Sequence, residues 1–228
     1  MAQIELSGVS KTYRDHIAVH ALADVNLAIE KGEFAAAVGP SGSGKTTLLN
    51  LIGAIDTPDT GVIRIAGLEL TATPADRLAD FRLRHIGFVF QSFNLFPVLT
   101  VLENLEFVPA LQGVPQAERA RRAANLLEAV GMQDLRDKRP GELSGGQQQR
   151  VAVLRAILPE PDLVLADEPT ANLDSENATL LLDMMERLNG ERGITFLFST
   201  HDPAVMRRAR RLIQLRDGRV ARDEVQAP

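Results

Sequence analysis

The sequence predicts an α/β fold that combines a mostly parallel core sheet, an N-terminal antiparallel β region and an all-helical insert. Three observations indicate this class. Short, almost wholly apolar runs alternate with helical patterns, as in a parallel sheet covered on both faces. Residues 3–9, 25–29 and 61–65 instead alternate polar and apolar positions, which is typical of antiparallel strands. Between Gln91 and Leu163 the periodicity is helical only.

Four apolar runs are predicted to be the core strands, and they cover residues 34–38, 86–90, 163–166 and 195–199. The first run ends at Gly39, and a helical pattern follows it directly. We expect residues 3–9 to pair with residues 25–29 in the antiparallel region. Beyond Val220 the chain is polar, so we expect this tail to fray.

Three helices are predicted within the insert, the first over residues 101–111. The second places apolar side chains on one face at helical spacing, namely Ala120, Ala123, Leu127 and Val130. The third begins after Ser144 and ends before Pro159. We therefore expect a single domain over residues 1–228, whose α/β core (1–91 and 159–228) is interrupted by the insert at residues 92–158.

Composition excludes several classes of function. The 228 residues carry a net charge of −5, which gives no electrostatic case for wrapping nucleic acid. The absence of cysteine excludes disulfides, thiolate metal sites and cysteine nucleophiles. Because the chain has neither a spanning apolar run nor a signal-peptide pattern, we expect it to be intracellular and to reach a membrane only through a partner.

The strongest local motif is a glycine-rich loop that ends in lysine and threonine, and it consists of Gly39, Pro40, Ser41, Gly42, Ser43, Gly44, Lys45 and Thr46. It follows a predicted strand and opens a helix, where backbone N–H groups attract an anion. A mobile Lys45 ammonium would reach the β- and γ-phosphates, and the Thr46 hydroxyl would bind Mg²⁺. The alternative is a glycine turn that only caps the helix, but the flanking strand and helix favour phosphate binding.

Two carboxylates, Asp167 and Glu168, end the predicted strand 163–166. Ligands bind at this end of the strands in α/β sheets. We expect Asp167 to hold the Mg²⁺ shell and Glu168 to orient and deprotonate water. A helix-entry turn is the structural alternative for the pair.

A second candidate anion site is formed by Ser144, Gly145, Gly146 and Gln147. Ser144 is placed to cap the next helix, and the glycines would expose its first N–H groups. The motif is short, and a simple capped loop would also explain it. Two phosphate-binding helix starts in one domain require either two nucleotides or one nucleotide held between two copies of the chain.

Taken together, these motifs resemble those of ABC-type ATPases with a P-loop NTPase core. The resemblance rests on GPSGSGKTT (39–47), LSGGQQQR (143–150), LVLADEPT (163–170), NLD (172–174) and STHD (199–202), in family order over essentially the whole chain. It adds Thr47 to the nucleotide-binding loop. It also implies an adenine-stacking role for Tyr13, a Mg²⁺ and water contact for Gln91, a loop joining two protomers at Asp174, and a γ-phosphate contact for His201.

The resemblance implies an ATPase that forms a head-to-tail homodimer around two Mg-ATP and drives a separate membrane permease, with no nucleic-acid partner. It places the protein in the cytoplasm, on the inner face of the membrane. Residues 93–104, FNLFPVLTVLEN, resemble the macrolide-exporter and lipoprotein-releasing group. Exposed Phe93, Phe96 and Leu99 would suit a permease helix, although ordinary core packing explains them equally well. An importer ATPase is the main alternative, and a soluble ABC ATPase acting on nucleic acid is a weaker one.

Overall fold

A computed structural model describes residues 2–14 and 18–226. Its strands and helices follow one another in this order: β1 (Ala2–Arg14), β2 (Ala18–Glu30), β3 (Phe34–Val38), α1 (Lys45–Ile52), β4 (Thr60–Ile65), β5 (Leu68–Glu69), α2 (Ala75–His85), β6 (Ile86–Val89), α3 (Val101–Leu111), α4 (Gln116–Ala129), α5 (Gly145–Ile157), β7 (Leu163–Asp167), α6 (Ser175–Arg192), β8 (Thr195–Thr200), α7 (Pro203–Arg208), β9 (Arg211–Arg216) and β10 (Arg219–Val225).

The core sheet has six strands in the order β10-β9-β3-β8-β7-β6. The strands from β9 to β6 are parallel, and only the edge strand β10 is antiparallel. All five residues of β3 are buried, because it lies between two strands and is covered on both faces. The predicted core strands are confirmed, although the one expected over 86–90 ends at Val89, where its pairing with β7 stops.

The second sheet has four antiparallel strands in the order β2-β1-β4-β5. The predicted pairing is confirmed in register, with Ile4 opposite Ile29 and Val9 opposite Val25. Both strands are longer than the alternating pattern indicated, and shifts in register interrupt them. This sheet brings Tyr13, near the end of β1, to the loop that follows β3.

The three helices α3, α4 and α5 lie between β6 and β7 in the chain, and α3 covers the predicted residues 101–111. A capping box at Thr100 and Glu103 fixes its start. Apolar side chains of these helices, such as Leu105 and Leu154, belong to the same buried cluster as Phe34 and Val164 of the core sheet. The helical insert therefore shares its hydrophobic core with the α/β sheet. None of the helices in the described residues is both long and apolar enough to cross a bilayer.

The expected fraying beyond Val220 is wrong up to Val225, because these residues belong to β10 and pair with β9, and residues 227–228 lie outside the described residues. Arg211 of β9 anchors it with two hydrogen bonds of 2.7 Å to Asp223. The same guanidinium binds Glu33, and these carboxylates raise the pKa of Arg211 above its ordinary value. A polar strand can thus be ordered by charge pairing, which apolar periodicity does not reveal.

Candidate functional site

The carboxyl ends of β3, β6, β7 and β8 surround an open cavity of about 610 Å³. Its walls include eleven of the predicted site residues: Tyr13, Pro40, Ser41, Gly42, Gly44, Lys45, Thr46, Thr47, Gln91, Glu168 and His201. Four further wall residues had no role predicted from the sequence, although the last belongs to the STHD motif: Val19, Ala21, Ala171 and Ser199. Parallel topology brings these distant segments to one edge of the sheet.

Two glycines of the phosphate loop, Gly39 and Gly44, are required by the close packing of the chain around the loop. Gly44 has φ 103° and caps α1, and a Cβ there would lie 2.4 Å from the carbonyl oxygen of Ala21. At Gly39 a Cβ would lie 2.3 Å from the carbonyl oxygen of Leu215. A side chain at either position would therefore collide with the backbone of the chain itself.

Lys45 begins α1 and is only 8% exposed. Its Nζ donates to the carbonyl oxygens of Gly39 and Pro40, at 2.8 and 3.0 Å. The expected mobile ammonium is thus held inside its own loop here. Within the described residues the buried Oγ of Ser43, in the same loop, has no hydrogen-bond partner. An orphaned hydroxyl beside a positive charge suits a phosphate oxygen.

Two of the expected magnesium ligands, Thr46 and Asp167, lie close together, with Thr46 in the cavity wall. Thr46 Oγ1 and Asp167 Oδ1 are 3.5 Å apart, which is too long for a normal hydrogen bond between oxygens. Hydroxyl and carboxylate oxygens are donors that Mg²⁺ prefers, so this pair fits the ion. Gln91 lies in the wall of the same cavity, and its backbone carbonyl accepts a hydrogen bond from Asn172 Nδ2.

Glu168 follows β7 with φ 46°, a left-handed conformation that a residue with a side chain rarely adopts. Its Oε1 lies 2.7 Å from Nδ1 of His201, and its Oε2 accepts a 3.1 Å hydrogen bond from the Thr200 hydroxyl. Backbone strain of this kind is concentrated at functional sites. The structure thus brings the two predicted catalytic side chains, Glu168 and His201, into direct contact.

Tyr13 stands at the rim of the cavity and is 39% exposed. Its hydroxyl donates a 2.9 Å hydrogen bond to Asp56, and the Lys11 ammonium lies 5.2 Å from its ring centroid. Partial burial, followed by the Asp56 contact, raises the pKa of the Tyr13 phenol. The hydrogen bond and the partial burial therefore hold the ring in place at the rim of the cavity.

The second predicted anion site does not reach this cavity. Ser144 caps α5 as expected: its Oγ accepts from the Gln147 N–H at 3.2 Å, and Gln147 Oε1 accepts from the Ser144 N–H. Asp174 also lies outside the cavity walls and caps α6 by accepting from the Asn177 N–H at 2.8 Å. That hydrogen bond lowers the pKa of Asp174. The signature loop (Ser144, Gly145, Gly146 and Gln147) therefore lies outside the cavity that the phosphate loop lines.

A family model described as ABC transporter matches residues 22–171, about two thirds of the chain. The chain belongs to the ABC transporter family. The predicted fold class and the prediction of an ABC ATPase are thereby confirmed. The matched segment contains the phosphate loop, the signature motif and Glu168, whereas Tyr13, Asp174 and His201 lie outside it.

Several relatives of this ABC cassette have nearly its length. The ATP-binding protein YtrE of Bacillus subtilis is 48% identical over 88% of this chain and 87% of its own. The lipoprotein-releasing ATP-binding protein LolD of Anaeromyxobacter dehalogenans is 46% identical over 96% and 93%. The macrolide export protein MacB of Rhodopseudomonas palustris is 44% identical over 99% of this chain, which spans about a third of that relative's length.

A solved structure of the ATP-binding cassette MJ0796 matches the ABC cassette with a TM-score of 0.89 and 41% identity, over 99% of both chains. That protein is a dimer in a post-hydrolysis state with ADP and phosphate bound. A second MJ0796 structure is also dimeric. The predicted resemblance to the macrolide-exporter and lipoprotein-releasing group agrees with the names of the relatives.

The cassette also carries an apolar groove of about 210 Å³ beside the loop that starts at Gln91. Phe96, Phe88, Phe90 and Phe107 line it, and Arg155 gives it one charged wall. Of the three side chains expected at a docking surface, only Phe96 is exposed and in this groove, while Phe93 and Leu99 are half-buried. Phe88, Phe90 and Phe107 were missed because they come from β6, from the residue that follows it and from α3, which only the fold brings together.

Gly146 packs against α6, where a Cβ would lie 2.2 Å from Oδ1 and 2.9 Å from Cβ of Asn177. We therefore expect Gly146→Ala to push Asn177 away from Asp174 and to lower the free energy of unfolding by about 1–3 kcal/mol. Gly145→Ala is the matched control, since its Cβ would meet only Phe93 at 3.7 Å. Urea unfolding of both variants checks this, and equal stability would contradict the packing role of Gly146.

Proposed function

We propose that this cassette binds and hydrolyses Mg-ATP between two head-to-tail copies of itself and thereby drives a membrane permease. One observation carries the proposal. The cavity contains the phosphate loop and Glu168, while the signature loop at Ser144 belongs to a separate surface of the same chain. Two copies arranged head to tail would complete each cavity with the signature loop of the other.

We assign the roles within each site from the contacts of these side chains. The phosphate loop, residues 39–47, would bind the phosphates through backbone N–H groups and Lys45, and Tyr13 would stack on the adenine. Thr46, Asp167 and Gln91 would hold Mg²⁺, which supplies charge neutralisation between the β- and γ-phosphates. Glu168 would orient and deprotonate the attacking water.

His201 and the partner copy would complete the arrangement. With its side chain 74% exposed, His201 is free to turn from Glu168 to a γ-phosphate. Ser144, Gly145, Gly146 and Gln147 of the other copy would approach the same phosphate. The Asp174 loop of the other copy would then face the phosphate loop. ATP would bridge the two copies, and its hydrolysis would remove this bridge and open the dimer.

The relatives LolD and MacB, by their names, support a permease of the lipoprotein-release or macrolide-export type. The apolar groove beside Gln91 is where we place the permease helix, because it is exposed and adjoins the nucleotide site. A movement at the groove would reach the nucleotide through Gln91. In this arrangement the cassette lies on the cytoplasmic face of the membrane, and the insert (92–158) carries the signature loop and one wall of the groove.

The docking part of this proposal is tested by Phe96→Asp. A buried carboxylate in an apolar groove is costly, so we expect this variant to lose the membrane permease that co-purifies with the original chain. Its basal ATPase activity in the absence of membranes should persist. Leu180→Asp on α6 is the control, because Leu180 is similarly exposed (44% against 38%) but distant from the groove. If the Phe96→Asp variant still co-purifies with the permease, the docking surface lies elsewhere on the cassette.

A further inference from the structure

The two carboxylate oxygens of Glu168 have partners of very different kinds. Oε1 contacts His201, whose side chain is 74% exposed, and Oε2 accepts from the hydroxyl of Thr200, which is fully buried. A contact at the surface is easily exchanged for a ligand. A contact in the interior persists, because an abandoned buried hydroxyl is costly.

The Thr200 hydroxyl belongs to a ring at the ends of β7 and β8. Hydrogen bonds form one part of this ring, and the backbone from Glu168 to Thr170 closes it. The Asp202 N–H donates to Thr200 Oγ1 at 2.9 Å, and the Thr170 hydroxyl donates to Asp202 Oδ2 at 2.5 Å. Asp202 Oδ1 accepts from the Ala204 N–H and so caps α7. Since Thr170 lies two residues after Glu168, the ring returns to the chain segment from which it started.

The ring also determines where the Thr200 proton points. A hydroxyl has one proton to donate, and Oγ1 already accepts the proton of the Asp202 N–H. Its own proton is therefore directed to Glu168 Oε2. A donated hydrogen bond stabilises the ionised carboxylate and fixes its orientation.

The backbone of Glu168 is held by the same two strand ends. Its N–H donates to the carbonyl oxygen of Ser199 at 2.8 Å, and its carbonyl oxygen accepts from the Ala171 N–H at 3.2 Å. These bonds fix the left-handed φ of 46°, but they leave the side-chain torsions free. Thr200 is the buried group that restrains the carboxylate itself.

We propose that Thr200 is a positioning residue that keeps the Glu168 carboxylate aimed at the attacking water when His201 turns to the γ-phosphate. This inference rests on the proposed role of Glu168 as the general base. It adds a buried hydroxyl, on the strand rather than in the cavity wall, to the residues on which turnover depends.

Thr200→Val tests the inference, since valine keeps the shape and removes the hydroxyl. We expect kcat for ATP to fall about 10- to 100-fold, as a small displacement of a catalytic group does, with little change in KM. Thr200→Ser keeps the donor and should restore most of the rate. A purely structural hydroxyl would instead give a less stable protein with normal kcat.

Thr195→Val is the matched control at the other end of β8. Thr195 is equally buried, and its Oγ1 accepts from the Gly32 N–H at 3.0 Å, far from the carboxylate. We expect it to lose stability but to keep its kcat. Calorimetric nucleotide binding verifies that each variant is folded. If valine at position 200 prevents folding, Thr170→Val breaks the same ring one bond further away and should lower kcat several-fold.

The double variant E168Q/T200V decides whether Thr200 acts through Glu168. Under the inference, it turns over no more slowly than E168Q alone, because the group that Thr200 positions is already disabled. If the single variant T200V has a normal kcat while the single variant E168Q is disabled, this inference is overturned and the proposed function stays intact. Full activity in E168Q would overturn the base assignment and this inference together.

Discussion

Glu168→Gln is expected to slow ATP turnover by about 10²–10⁴-fold, because glutamine cannot accept the proton of the attacking water. Nucleotide binding should persist, since Glu168 lies in the cavity wall opposite the phosphate loop and glutamine has nearly the same size. With ATP no longer cleaved, the bridged dimer should accumulate. Steady-state phosphate release measures the first effect, and light scattering after gel filtration with Mg-ATP measures the second.

Glu128→Gln on α4 is the control for this substitution, because it makes the same change on an exposed surface away from the cavity. It should retain normal turnover and remain monomeric or dimeric in the same proportion as the original chain. Undiminished phosphate release by the Glu168 variant would remove this residue from its assigned role. Slow turnover without accumulation of dimer would instead contradict the link between hydrolysis and opening.

Lys45→Ala is expected to weaken nucleotide binding by about 10- to 150-fold, which corresponds to about 1.5–3 kcal/mol for a hydrogen bond to a charged group. The ammonium is already desolvated within its loop, so its transfer from the carbonyl oxygens of Gly39 and Pro40 to phosphate requires little further dehydration. Calorimetric titration with ATP measures the affinity. Turnover at low ATP concentrations should fall at least in proportion.

Removing this lysine also leaves two loop carbonyls without their donor, so the unfolding of the variant must be measured in parallel. Lys31→Ala, at an exposed turn before β3, is the matched control and should bind ATP normally. A folded Lys45 variant with unchanged affinity would contradict the assignment of residues 39–47 as the phosphate loop.

Apolar runs and turn chemistry made much of the fold predictable. Phe34–Val38 and Val101–Leu111 are observed with the predicted bounds, because each is bounded by strong signals such as Gly39 and the Thr100 cap. Strand β10 was not predictable in this way. Its polar side chains are ordered by Arg211, whose partners Glu33 and Asp223 are distant from each other in sequence.

The candidate site, like the fold, was predictable from the sequence only in part. Motif spacing brought out the phosphate loop and the Glu168–His201 pair, which the parallel sheet places at one edge. It placed Thr200 within STHD (199–202) but gave it no role, and it gave no sign of Asn177, because an ordinary threonine or asparagine matters only through the groups that it contacts. Ser144 does not line this cavity, so the cavity alone gives no indication of a link to the signature loop.

In the proposed dimer, ATP joins the phosphate loop of one copy to the signature loop of another. The absence of native cysteine allows it to be tested with two single-cysteine variants in the Glu168→Gln background, one at Ser41 and one at Ser144, both exposed. The two variants carry different tags and are mixed with a short bifunctional thiol reagent. Their cross-linked product is then measured with and without Mg-ATP.

A head-to-tail dimer predicts that the mixed-tag product, which joins the Ser41 and Ser144 variants, forms in good yield only with Mg-ATP. Little product is expected between two Ser144 variants. Equal cross-linking without nucleotide, or a Ser144-to-Ser144 product that exceeds the mixed one, would contradict the head-to-tail arrangement.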